Sequence, residues 1–171
     1  MSRPERTEAA EHYFTYIDRV PDGDICTLLD AQLSEVRRLT GSISEAHSLY
    51  RYAPGKWSIR DVMNHLIDCE RLFVTRAFWF ARSFDSPLPS FDQNVAAAAA
   101  EADRRSWADL CAEFEAVRAG TIAFFRSLPE EAWSRRGIAS GNPITVRALA
   151  YICVGHVDHH AAVLREQYLR G

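Results

Sequence analysis

Two imidazoles stand one helical turn apart in Gly155-His156-Val157-Asp158-His159-His160, near the C-terminal end of the chain. At about 100° per residue, Leu149, Ile152, His156, His160 and Val163 fall within about 40° of His156 on one face of a helix. Burying two imidazoles in an apolar stripe costs free energy unless each finds a partner. A divalent metal ion is such a partner. Neutral imidazole is its commonest protein ligand, and i,i+4 spacing lets two rings converge on one ion. His159 lies about 60° to the other side, at the edge of the stripe. It competes with His160 as a ligand, and otherwise lines the cavity, acts as an acid/base or is half-exposed. His160 is preferred because its ring lies nearer the centre of the stripe.

A third imidazole, His65, comes from a different segment. Ser58 and Asp61 match the S-x-x-D capping box, so a helix opens near Trp57. It can run to about Arg82, roughly 24 residues or about 36 Å. Val62, Cys69, Leu72, Phe73, Arg76 and Phe80 lie within about 80° of His65 around its axis. Three core-facing histidines on two helices suit a catalytic metal site, with three protein ligands and one open position. Such an ion lowers the pKa of a bound water or thiol, or polarises a carbonyl. The competing reading is that all three are core histidines hydrogen-bonded to neighbours. Asp68 at i+3 and Asp61 at i−4 of His65 could each orient its ring; otherwise they face water or cap the helix. Cys69 and Cys153 read as small buried hydrophobes. His47, alone in a connector, reads as a surface or hydrogen-bonded histidine.

Around these residues the chain reads as helical throughout. Residues 1–20 form an aromatic-containing extension that could pack as a short helix. Asp24 caps a first long helix over Ile25–Leu39, ended by Gly41. Pro87 and Pro89 mark residues 83–94 as loop, and the alanines 96–100 a short helix. This connection is longer than a helical hairpin needs and permits a crossover. Ser106 and Asp109 open a third long helix running to about Ser127, and Pro129 starts a short one. Thr145 caps the fourth, which runs to about Tyr168. No strand pattern is strong enough to propose a sheet. The fold class is therefore all-α, in a single domain over residues 1–171.

Composition excludes several partners. The formal net charge of −3 argues against a nucleic-acid surface. No apolar run approaches the roughly 20 residues that span a bilayer. The early prolines and charged N-terminus exclude a signal peptide. The 4 cysteines form no CxxC pair and read as reduced thiols of a cytoplasmic protein.

Gly55-Lys56-Trp57-Ser58-Ile59-Arg60-Asp61-Val62-Met63-Asn64-His65-Leu66-Ile67-Asp68, together with residues 155–160, resembles the DinB-like family of metalloenzymes. The similarity extends over about residues 20–170, including Phe91-Asp92-Gln93-Asn94 and the approach to the last helix through Pro143-Ile144-Thr145. The resemblance implies a four-helix bundle of up-down-down-up topology. It implies zinc or nickel on His65, His156 and His160, a homodimer, and a small-molecule substrate. It also implies either transfer of a low-molecular-weight thiol, such as bacillithiol or mycothiol, or hydrolysis.

The leading expectation is thus a thiol transferase acting on an electrophile, with His159 and Asp68 as acid/base or orienting residues. The alternatives are a metal-dependent hydrolase, a non-catalytic bundle stabilised by its metal, and a metal-free helical interaction module.

Overall fold

Side-chain caps fix where the helices begin. The computed structural model describes residues 2–169. After two single turns, Phe14–Ile17 forms the short helix α1. The Asp24 carboxylate accepts from the Thr27 amide at 2.9 Å and opens α2, Ile25–Gly41. Ser58 and Asp61 close a reciprocal capping box at the start of α3, Ile59–Ala81. Asp92 accepts from the amides of Asn94 and Val95 and opens the alanine-rich α4, Gln93–Ala100. Ser106 caps α5, Trp107–Arg126, and Thr145 caps α6, Val146–Val163, which continues as a π-helical turn over Leu164–Tyr168. Each long helix lies where hydrophobic spacing places it. The turn after Pro129 is a 3-10 turn, Glu130–Ser134, with proline just before it rather than at its first position.

These elements form a mostly helical, four-helix bundle. Helix α3 packs most closely on α6 and α5, and α2 packs on the same two. So α3 and α6, which carry the core-facing histidines, are direct neighbours. Two apolar clusters fill the interior. One is built around Phe14, Ile25, Leu29, Phe73, Phe80 and Leu149. The other is built around Leu33, Ile59, Met63, Leu66, Phe114 and Val157.

Between the clusters all four long helices place a buried polar group: Gln32, His65 with Glu70, Arg118 and His156. Arg118, fully buried, donates to both carboxylate oxygens of Glu70 at 2.8 and 2.7 Å and to the Gln32 side chain at 2.6 Å. Gln32 in turn donates to the Val154 carbonyl and to Asp158. Bidentate pairing satisfies a guanidinium that would otherwise be very costly to bury.

One expectation fails. Arg136–Ala139 (β1) and Asn142–Thr145 (β2) pair antiparallel, with Gly137 opposite Ile144 and Ile138 opposite Pro143. The turn residues Ser140 and Gly141 have φ of 54° and 77°, the pair of positive values that a tight two-residue hairpin requires. Four-residue strands holding glycine and proline carry too little periodicity to register. Gly137 is there for packing, since a Cβ would sit 2.0 Å from the Phe80 ring. The hairpin also stitches down the proline-rich loop. The Leu88 amide donates to the Ile138 carbonyl at 2.9 Å, and the Ser140 amide donates to the Leu88 carbonyl at 3.1 Å.

The N-terminal segment packs on α6. A Cβ on Gly155 would lie 2.0 Å from the Tyr16 carbonyl oxygen. The glycine preceding His156 is what lets α1 approach this closely.

Candidate metal centre

His65 and His156 face each other across the α3–α6 seam. Both are buried, 5% and 4% exposed, and their Nε2 atoms are 3.1 Å apart. His160, one turn beyond His156, completes a triangle of rings. Its centroid is 4.6 Å from that of His156 and 4.9 Å from that of His65. Aromatic walls close the group: Trp57 beside His65, Phe73 and Tyr16 edge-on to His156.

Cys69, one turn after His65, brings its Sγ to 3.5 Å from His65 Nδ1. The donor atoms of His65, Cys69 and His156 all lie within 4.8 Å of one another. By donor proximity the tightest set is therefore two nitrogens and a sulfur, with the His160 ring alongside.

Burial sets the protonation states. Desolvation, reinforced by the neighbouring histidines, holds His65 down to about 4 and His160 down to about 3, and pushes His156 well below its usual value. All three rings are neutral at pH 7 and present lone pairs. Burial pushes the Cys69 thiol up to about 12, with Asp68 adding to the shift. The His159 Nδ1 is buried with no hydrogen-bond partner among the described residues. Neutral nitrogens crowded on one point, with a thiol in reach, form a donor set that fits a divalent metal ion.

A profile of the DinB superfamily matches residues 28–164. The chain belongs to this superfamily. Among solved structures it is similar to YfiT from Bacillus subtilis, described as a probable metal-dependent hydrolase with an unusual four-helix bundle topology. That match has a TM-score of 0.77 and 17% identity, over 99% of this chain and 93% of that one. It is also similar to the mycothiol-dependent maleylpyruvate isomerase, with a TM-score of 0.70 and 17% identity, over 85% of this chain and 61% of that one. At these identities the likeness is one of fold. A search of curated protein sequences gives no match.

Within this DinB-superfamily bundle the remaining candidates separate. His159 lies beside the centre, its ring 5.0 Å from His160 and 5.5 Å from Tyr16. Asp68 is turned elsewhere: its carboxylate accepts from Asn64 at 2.7 Å and lies 3.9 Å from Arg71. Among the described residues it has no hydrogen bond to a histidine. Asp61 caps α3 and receives Arg51. Cys153 is buried among apolar residues. His47 meets the Tyr168 carbonyl at 3.1 Å.

A cavity of about 150 Å³ opens onto His65, Cys69 and His156, with Phe73, Arg76 and Gln93 among its walls. A larger depression of about 860 Å³, bordered by Cys26, Arg126 and Trp133, has no histidine on its walls among the described residues. Volume alone does not mark the site. Tyr16 was outside sequence reasoning because α1 reaches the centre only through tertiary packing, although Gly155 inside an apolar helix was a signal of close approach.

Proposed function

We propose that the chain is a metal-dependent enzyme whose ion sits on His65, His156 and His160 and which transfers a low-molecular-weight thiol to an electrophilic small molecule. The opposition of His65 and His156 Nε2 at 3.1 Å, with a cavity opening on the pair, carries this reading. When bound, a divalent cation with one open position supplies Lewis acidity and lowers the pKa of a thiol or water presented to it. The chain supplies the rest. Burial keeps the three imidazoles neutral and ready to ligate. Trp57, Phe73 and Tyr16 keep water from their flanks. His159, its ring beside His160 and its Nδ1 without a partner among the described residues, is the group placed to take up the thiol proton. The mycothiol dependence named for one similar structure supports the thiol assignment.

Metal-dependent hydrolysis is the second reading, favoured by the description of the YfiT structure. His159 would then serve a water molecule in place of a thiol.

The discriminating experiment incubates zinc- or nickel-loaded protein with bacillithiol or mycothiol and an electrophile such as monobromobimane, and separately with ester substrates lacking thiol. Thiol-dependent consumption of the electrophile above the metal-free rate is expected. Turnover of esters alone would favour hydrolysis, and no metal-dependent rate in either arm would refute both.

A further inference from the structure

We infer that Arg76 is an anion-recognition residue of the cavity and that the small molecule bound there carries a carboxylate. The inference rests on the reading of this cavity as the substrate site. Arg76 is 2% exposed. Its Nη2 donates to the Pro89 carbonyl at 3.0 Å and to Ser140 Oγ at 2.9 Å, and its Nη1 to the Tyr13 hydroxyl at 3.5 Å. Its Nε is buried and has no partner among the described residues. Every one of these acceptors is neutral. Among the described residues no carboxylate lies in salt-bridge reach of it.

The other two arginines buried among the described residues show how unusual this is. Arg118 is paired with Glu70 and Arg60 with Glu45. A buried guanidinium without a counter-ion is expensive. A neutral side chain could hold Pro89 and Ser140 at far lower cost. The surplus positive charge is accounted for if an anion completes it.

The position is suited to substrate. Arg76 lies eleven residues after His65, within about 20° of it around α3 and about 16 Å along the axis. Cys69 and Phe73 lie between the two, and all four line the same cavity. A molecule resting on Phe73 therefore has a cationic anchor at one end and the histidine group at the other. Among the described residues no second arginine or lysine lines the cavity. One cation matches the single charge of a carboxylate better than a phosphate dianion.

The test is a titration of the metal-free and zinc-loaded proteins with crotonate, crotonamide and inorganic phosphate, read by the side-chain ¹⁵Nε–H resonance of Arg76 and by calorimetry. Crotonate is expected to shift that resonance saturably, while crotonamide and equal phosphate leave it in place. Arg76→Gln is expected to weaken crotonate binding at least tenfold. Ser140→Ala, which loosens the same hydrogen bonds but keeps the charge, should leave it within twofold. An unmoved Arg76 resonance in wild-type protein at saturating crotonate, or undiminished binding in a folded Arg76→Gln variant, overturns the assignment. So does tighter binding of phosphate. Because the metal-free arm reads Arg76 directly, failure of zinc to bind refutes the metal centre and leaves the anion result standing.

Discussion

The Nε2 atoms of His65 on α3 and His156 on α6 lie 3.1 Å apart in the interior, one turn of α6 from His160. Each neutral ring carries one lone pair, and with both rings protonated at Nδ1 the two Nε2 lone pairs meet at one point that a cation can occupy. His65→Ala and His156→Ala should each lower zinc affinity at least tenfold, read by competition with a chromogenic chelator. His160→Ala should do the same. Cys69→Ala should stay within threefold, because in this account His160 supplies the third ligand. The reverse order for His160 and Cys69 would replace the third ligand.

Metal-free protein should lose stability in acid at unusually mild pH. The unfolded chain takes up protons on these histidines as pH falls through about 6.5. The folded chain resists until about 4 at His65 and about 3 at His160. Stability therefore falls as pH drops below 6.5 and flattens only near the folded values. Urea midpoints at pH 7 and pH 5 in chelator check this, and the His65→Ala variant should show a shallower dependence. Equal midpoints at the two pH values would contradict the burial of neutral imidazoles.

Glu70→Gln should be severely destabilising, by about 3–5 kcal/mol, because it strands a buried Arg118. The exposed Arg126–Asp30 pair, 3.2 Å apart, serves as control, and Arg126→Ala should change stability immeasurably. Chemical denaturation of both variants compares the two. Comparable effects would mean that Arg118 finds another partner or water.

Gly155→Ala isolates the contact between α1 and α6. Alanine is about 1 kcal/mol better than glycine inside a helix, so helix propensity alone predicts stabilisation. The 2.0 Å clash with the Tyr16 carbonyl predicts the opposite. A loss of about 1–3 kcal/mol is expected, together with faster proteolysis within residues 2–20. A stabilised variant with an intact N-terminal segment would show that α1 is not seated as described.

Much of the fold was legible because its signals are local. Ser58, Ser106 and Thr145 announce helix starts within three residues, and histidines interrupting apolar stripes announce a centre. Arg76 also stood in the α3 stripe, a charge where packing alone gives no reason for one. What escaped depends on distant partners. Arg118 looks like an ordinary polar residue on α5 until Glu70, 48 residues away, is placed beside it. Cys69 passed for a small hydrophobe because its distance from His156 depends on how α3 and α6 pack. The β1–β2 hairpin is fixed by the Ser140-Gly141 turn and by Phe80, neither of which leaves a two-residue period. Asp68 shows the converse error: its place three residues after His65 permits an approach to that ring, but Asn64, four residues before Asp68, takes the carboxylate first.

The central claim is most directly tested by X-ray absorption at the zinc edge of protein loaded with one equivalent of zinc. The predicted spectrum shows three nitrogen neighbours near 2.0 Å with the outer-shell scattering of imidazole rings, reduced by one ring in His156→Ala. A shell of oxygens without imidazole scattering, or a spectrum unchanged in His156→Ala, would contradict it.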